Sequence, residues 1–345
     1  MRILFLYTEL ADYLVTCCKE LSLNNEVYII RYPLNKEAPF KFQFDRLNVF
    51  DKTNFNFISL TKKINEINPD KIICSGWIDK DYLKIVKKYY QKIPTVIAFD
   101  TQWRGDLKQK IACILSPAFL LKRFSHAWVA GERQAVYAGK LGFKKEKILR
   151  GFYSCDVELY KQQFLKFRES KNTAFPKRFL FVGRYYEFKG LLNLWDAFTQ
   201  MQIEFPNEWE LWCVGTGTLK PIEHPKIKHF GFVQPSGFEN IISQTGVFVL
   251  PSLYEPFGVV IHEYASAGFP LICSNSVGAT DSFLSENENG FNFQAGNSEQ
   301  LKQKMKKVIE MTDKELNLMS EKSVVNSQKM TPQIWTKTLM SISLS

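Results

Sequence analysis

Glu255 and Glu263, eight positions apart, are the acids in this chain whose spacing most suggests chemistry. They stand in Leu250-Pro251-Ser252-Leu253-Tyr254-Glu255-Pro256-Phe257-Gly258-Val259-Val260-Ile261-His262-Glu263. The apolar run from Val247 to Leu250 reads as a buried strand, a Pro-rich loop follows it, and a helix opens near Gly258. Glu255 then lies in the loop at the strand's carboxyl end and Glu263 inside the helix. The rise from Gly258 to Glu263 is about 7–8 Å. Two acids so placed can touch opposite ends of an extended ligand, while the amides of Phe257, Gly258 and Val259 meet an anion between them. A sugar joined to a nucleoside through a diphosphate has that layout. The alternative is a surface loop acid followed by a solvated helix acid.

A second cluster lies upstream in the segment RFLFVGRYYEFKG, residues 178–190. A strand over Phe179–Val182 runs into Gly183-Arg184, and a short loop leads to Lys189-Gly190 and a helix. A diphosphate needs backbone that can come close and paired positive charge to offset the charge that develops as it departs. An ordinary strand-turn-helix with solvated Arg184 and Lys189 is the competing reading. Gly215-Thr216-Gly217, after the strand Leu211–Val214, could help form the cleft floor but is a weaker signal, usually just a turn. Asp79-Lys80-Asp81 has a metal-diphosphate spacing but begins a helix, so N-capping is the expectation. His126, His224, His229 and His262 form no ligand pair at helical spacing, and His262 is expected to pack. Nothing indicates a Ser-His-Asp arrangement or a metal.

The elements that must position these residues alternate along the chain. Strands are expected at 2–7, 26–31, 71–75, 95–99, 127–130 and 147–149, then at 179–183, 210–214, 228–230, 247–250 and 271–273. Helical stretches are expected between the strands, for example at 57–67, 80–90, 132–140, 190–202, 238–244, 258–267 and 298–311. Such alternation implies α/β architecture with doubly wound parallel sheets. The charged, aperiodic stretch 161–178, containing Pro176, reads as the linker. Two domains, 1–165 and 175–330, would face each other across a cleft, with ligands beyond the strands' carboxyl ends.

The bulk properties agree with a two-domain cytoplasmic enzyme. At 345 residues, with 45% hydrophobic and 14% aromatic content, the chain exceeds one ordinary core and is not of disordered composition. Its seven cysteines have no C-x-x-C spacing and read as reduced core thiols. Met1–Tyr7 is too short for a signal peptide, and no window reaches the about 18 apolar residues of a membrane span. Residues 111–121 come nearest, ending at Lys122-Arg123, and read either as a core helix or as a membrane-surface segment. Residues 1–170 carry 29 Lys/Arg against 18 Asp/Glu, whereas the remainder is nearly neutral. A basic first half favours anionic small molecules or lipid headgroups; without a zinc finger, RNA-recognition motif or basic arm, nucleic acid is not an expected partner.

GRYYEFKG (Gly183–Gly190) followed about seventy residues later by EPFGVVIHE (Glu255–Glu263) resembles the retaining glycosyltransferases of family 4, glycosyl transferases group 1. The resemblance covers the second domain, including Gly278-Ala279-Thr280 and Asn289-Gly290-Phe291, and is fainter in the first, at Leu141–Phe143 and Gly151–Tyr160. It implies the GT-B fold of two Rossmann-like domains and transfer of a hexose from a nucleotide-diphosphate sugar, with UDP favoured over GDP, and no metal or cofactor. Arg184 and Lys189, with Gly183, would hold the diphosphate as leaving group. Glu263 would accept from the ribose hydroxyls, and Tyr254 and Glu255 would lie by the donor sugar. The Phe257–Val259 amides would touch sugar or phosphate, and the backbone around Phe232-Val233-Gln234 would line the base pocket. The stretch 331–345, with Trp335, would return onto the first domain.

Two departures bear on mechanism. The position after the first strand reads Tyr7-Thr8-Glu9-Leu10-Ala11-Asp12, without the glycines many relatives have, and Asp100 stands where many carry a histidine. Asp100 is therefore the candidate for positioning the donor sugar. Trp77 and Trp103 are candidates for stacking on an acceptor sugar, with core packing as the alternative. Lys108, Lys110, Lys122 and Arg123 would dock the first domain on an anionic inner leaflet to meet a lipid-linked glycan in surface polysaccharide synthesis. A sugar-nucleotide epimerase on the same fold, and a non-catalytic nucleotide-sugar binder, are the other functional readings.

Overall fold

Unbroken runs of Ile, Val, Leu and Phe are suited to strands covered on both faces, and they form the centres of two all-parallel sheets. The computed structural model describes residues 1–33, 42–234 and 237–344. It divides into two units, Met1–Cys155 with Met330–Ser345, and Asp156–Lys329.

The first unit contains β1 (Arg2–Tyr7), β2 (Glu26–Arg31), β3 (Asn48–Asp51), β4 (Lys71–Ser75), β5 (Thr95–Phe99), β6 (His126–Val129) and β7 (Ile148–Arg150). Their order is β3-β2-β1-β4-β5-β6-β7. The chain returns to this unit through the helix Pro332–Met340, N-capped by Thr331. Trp335 fixes that return. It is fully buried, lies 6.0 Å from the Phe5 ring and 4.7 Å from Trp128, and donates its indole N–H to the Phe152 carbonyl at 2.7 Å. The buried Lys71 donates to the carbonyls of Leu339 and Met340 at 2.9 and 3.0 Å, satisfying the helix's last turn.

The second unit contains β8 (Arg178–Val182), β9 (Glu210–Val214), β10 (Ile227–His229), β11 (Val247–Leu250), β12 (Leu271–Ser274) and β13 (Gly290–Phe293). Their order is β10-β9-β8-β11-β12-β13, the 3-2-1-4-5-6 arrangement of a doubly wound Rossmann sheet. The order reverses between β8 and β11, so the loops leaving these two strands border the crevice at the sheet's carboxyl edge.

The expected linker 161–178 is different in the structure. The unit boundary falls between Cys155 and Asp156, and Val157–Thr173 is a helix of the second unit. Its apolar stripe is weak because among its residues only Val157 and Lys171 are buried. It is held instead by the Asp156 N-cap, by Phe164 lying against Gly268, and by Lys171. The Lys171 ammonium donates to the Thr245 carbonyl at 2.9 Å and lies 4.4 Å from the Phe269 ring centroid. The run 111–121 spans most of the helix Leu107–Phe119 and its end. Leu120 and one edge of the helix pack on the core, but Leu107, Ile111, Ile114 and Leu115 stand exposed, so the core-helix reading holds only in part. The strands β3 and β13 and the helix Asp313–Ser327 are additional to the expected elements, and the helix Asp12–Leu21 stands between the first two strands as the alternation requires.

Trp335→Ala removes the contact that closes the chain onto the first unit and should cost about 3–5 kcal/mol in chemical denaturation. Burial pushes the Lys171 ammonium down to about 7. The unfolded chain keeps that proton to about pH 10.4, so unfolding takes up a proton between these values and this group's contribution to stability rises with pH there. The stability difference between wild type and Lys171→Met should grow from pH 7 towards pH 10; a difference independent of pH would contradict this.

Candidate functional site

The loop leaving β8 starts at Gly183, whose amide donates to the Val214 carbonyl at 3.0 Å, and closes in a short 3-10 turn, Glu187–Lys189. Gly190 ends the turn with φ +70° and opens the helix Leu191–Glu204. A Cβ at Gly190 would lie 2.1 Å from the Pro251 carbonyl oxygen, so this position excludes any side chain. The Leu253 amide donates to the Phe188 carbonyl at 2.8 Å. Backbone contact therefore joins the loops after β8 and β11. On its other side the first loop pairs with the Gly215-Thr216-Gly217 turn, where the Tyr185 amide donates to the Thr216 carbonyl at 2.8 Å. That turn, discounted from sequence, is a wall of the site.

The loop after β11 is braced from the strand beyond it. The hydroxyls of Ser274 and Ser276 both donate to the Ser252 carbonyl. The Gly278 amide donates to the Glu255 carbonyl at 3.2 Å, and the Ala279 amide to the Phe257 carbonyl at 2.8 Å. Phe257 is buried, with its ring 6.4 Å from Phe283. Gly258, at φ +89°, makes the left-handed turn into the helix Val259–Ser266, whose opening amides lack i−4 carbonyl partners by geometry. The expected strand, loop and helix around Glu255 are thus present.

Lys189 and Glu255 meet as an ion pair, with side chains 14% and 13% exposed. The Ser252 hydroxyl donates to the same Glu255 oxygen at 3.4 Å. Sequence spacing placed both residues near one strand edge, but their direct pairing came only from the fold. An anionic ligand arriving here would compete with Glu255 for the ammonium. Arg184 begins the same loop, exposed, with its guanidinium 5.4 Å from the Tyr186 ring centroid; Tyr186 in turn stacks on Phe188 at 5.5 Å. Tyr254 is part-buried in the Glu255 loop, and Val259 and the half-buried Glu263 lie in the helix that follows. Val233 is half-buried in the loop after β10. His262 turns inward, stacked on Phe283 at 4.1 Å and 2.9 Å from the Ser327 carbonyl, so it packs as expected.

The remaining candidates belong to the first unit. Asp100 directly follows β5 and its carbonyl accepts from the Gln134 side chain at 2.9 Å. Burial, with smaller contributions from neighbours including Tyr13 and Asp100, holds the hydroxyls of Tyr7 and Tyr153 well above the usual phenol range. The Tyr13 and Tyr153 rings meet edge-on at 4.9 Å. Trp77 and Trp103 both pack against Tyr137, at 6.4 and 5.7 Å, and are part-buried beside the hydrophobic core. Asp79 caps the helix Lys80–Tyr89 by accepting from the Tyr82 amide at 2.8 Å, which gives the D-x-D acid its structural role. Among the described residues, no group of three or more His, Cys, Asp or Glu is disposed to hold a metal ion.

Sequence reasoning missed the bracing serines Ser252, Ser274 and Ser276. The available signal was a pair of small hydroxyl residues at the end of the strand next to the Glu255 loop.

Residues 176–311 match the family model described as Glycosyl transferases group 1. A protein of Methanocaldococcus jannaschii described as an uncharacterized glycosyltransferase is 31% identical over 146 residues, which cover 39% of this chain and 36% of that protein. Among solved structures, Anabaena HepE in complex with UDP-glucose superposes with a TM-score of 0.73 at 17% identity, covering 99% of this chain and 100% of that one. An E. coli structure described as trehalose-6-phosphate bound with UDP-2-fluoro glucose gives 0.75 at 9% identity, covering 100% of both chains. Sucrose-phosphate synthase of Thermosynechococcus elongatus gives 0.71 at 13% identity, over 99% of this chain and 98% of that one. The fold is the GT-B fold of two Rossmann-like domains.

Gly190→Ala would force a methyl group onto the Pro251 carbonyl from a left-handed backbone position. It should destabilise the second unit by about 1–3 kcal/mol and separate the two loops. Denaturation curves and nucleotide binding would report both effects.

Proposed function

We propose that this chain is a retaining hexosyltransferase of glycosyltransferase family 4. Its donor would be a nucleotide-diphosphate sugar, UDP-linked in preference to GDP-linked. Its acceptor would be a lipid-linked glycan presented at an anionic leaflet during surface polysaccharide synthesis. The observation that carries this reading is the Lys189–Glu255 pair at the β8/β11 switch point, inside the segment that matches the glycosyl transferases group 1 model. The UDP-glucose and UDP-2-fluoro glucose bound by two structural neighbours support the donor class.

In this mechanism Arg184 and Lys189 offset the charge of the diphosphate, aided by the opening turn of the helix Val259–Ser266. The bond from the anomeric carbon to the diphosphate oxygen breaks. The acceptor oxygen bonds to that carbon on the same face, and its proton passes to the departing phosphate oxygen. The charge is neutralised by these side chains and backbone groups, so the reaction as proposed requires no metal and no further cofactor. Glu255 displaced from Lys189 is available to the donor sugar's hydroxyls, and Glu263 to the ribose. Val233 lines the base pocket, and the part-buried Trp77 and Trp103 of the first unit are candidates for contact with an acceptor sugar.

Glu255→Ala and Lys189→Ala should each reduce sugar transfer to background while circular dichroism stays that of wild type. In the wild type, a bound donor at 100 times its dissociation constant should add about 2.7 kcal/mol of stability in a thermal-shift panel of sugar nucleotides. Wild-type turnover by either variant, or an epimerised sugar nucleotide formed without acceptor, would contradict the assignment.

A further inference from the structure

His229 ends the edge strand β10, and hydrogen bonds connect it to the loop that carries Arg184 and Lys189. Tyr185, next to Arg184 in that loop, is buried. Its hydroxyl lies 2.9 Å from His229 Nδ1, and His229 Nε2 lies 3.2 Å from the Ile222 carbonyl oxygen. A carbonyl oxygen only accepts, so Nε2 carries the hydrogen. In the neutral ring Nδ1 then has a lone pair and accepts from the Tyr185 hydroxyl. The Trp195 ring, from the helix Leu191–Glu204, meets both edge-on, at 5.9 Å from Tyr185 and 5.6 Å from His229. The Tyr185 backbone has no slack either. The Leu219 amide donates to its carbonyl at 2.9 Å, and a Cβ at Gly217 would lie 2.4 Å from that oxygen.

The titratable groups around the imidazole come from three segments. They are the Tyr185 hydroxyl, the buried thiol of Cys213, which is its register partner on β9, and Glu223 with His224 just before β10. Glu223, His224 and His229 line one surface depression, so solvent protons reach the ring. Lys228 points to the opposite face of the strand, where it pairs with Glu210 at 3.2 Å. Burial holds the His229 imidazole below its ordinary value, so the ring is neutral at neutral pH. A proton gained at Nδ1 would remove the lone pair that the Tyr185 hydroxyl uses.

We propose that neutral His229 is a positioning residue for sugar-nucleotide binding: through the Tyr185 hydroxyl it fixes the loop that presents Arg184 and Lys189 to the diphosphate. The proposal deepens the donor assignment of that loop and rests on it. Protonation of His229 would loosen the loop, so donor affinity falls as the pH falls through the value of this imidazole.

The test is calorimetric titration of the full chain with UDP-glucose, whose doubly esterified diphosphate keeps its charge between pH 5 and pH 8. Tyr185→Phe keeps the ring and drops the hydroxyl, and His229→Phe drops both ring nitrogens. His229→Gln can offer an amide N–H to Ile222 and an amide oxygen to Tyr185. At pH 7.5 the two Phe variants should bind about fivefold to tenfold more weakly than wild type, with His229→Gln within about twofold of it. Between pH 7.5 and pH 5 the wild type should lose affinity that His229→Gln retains, and His224→Gln should follow the wild type. Wild-type affinity in either Phe variant, a His229→Gln variant as weak as His229→Phe, or coincident pH profiles for wild type and His229→Gln would overturn the proposal. Should His229→Phe fail to fold in a thermal scan, the pH profiles still decide. Absence of UDP-glucose binding by the wild type would remove the donor assignment and this proposal with it. Wild-type binding indifferent to all three variants would remove the positioning role alone.

Discussion

Two loops can meet beyond the carboxyl edge of a parallel sheet where the crossovers on either side leave in opposite directions. In the second unit that place is the gap between β8 and β11, and the chemistry proposed for this chain depends on it. Elsewhere in such a sheet, a helix packed over the neighbouring strand fills the space that a ligand would take. Here the gap is bordered by the loop carrying Arg184 and Lys189 and by the loop carrying Glu255. Their approach to backbone distance depends on a residue without a side chain at 190, because the Pro251 carbonyl occupies the volume a Cβ would need.

Within that frame, Lys189 and Glu255 satisfy each other. A half-buried ammonium left alone would be costly, and so would a half-buried carboxylate. Pairing them offsets both costs. The hydroxyls of Ser274 and Ser276 hold the loop at the Ser252 carbonyl without adding charge of their own. In the first unit, Lys108, Lys110 and Lys122 stand exposed beside the exposed apolar side chains of the helix Leu107–Phe119.

Much of this was legible from residue order. Strands such as Ile3–Tyr7 and Val247–Leu250 announce themselves because a doubly covered strand must be apolar throughout, and the glycines at 183, 190 and 258 mark where the chain must turn. The helix Val157–Thr173 was not legible, since it buries little of itself and is secured by contacts from Gly268 and Thr245, remote in sequence. The short β3 and β13 are edge strands with few residues to signal them. Trp77 and Trp103 were equally suited to a sugar face or a core, and their neighbour Tyr137, far along the chain, settles that both touch the core.

By itself the sequence determined which residue types stand at strand ends, because periodicity and glycine placement are local properties of the chain. It therefore delivered two doubly wound domains and the cations and acids at one crevice. Tertiary structure alone decided that Lys189 grips Glu255, that three serines brace its loop, and that Ile111, Ile114 and Leu115 of the apolar run face outward. Those outcomes depend on which surfaces other segments leave uncovered. An apolar run reads the same whether a neighbouring helix covers it or not, and that information resides in chain segments far from the run itself.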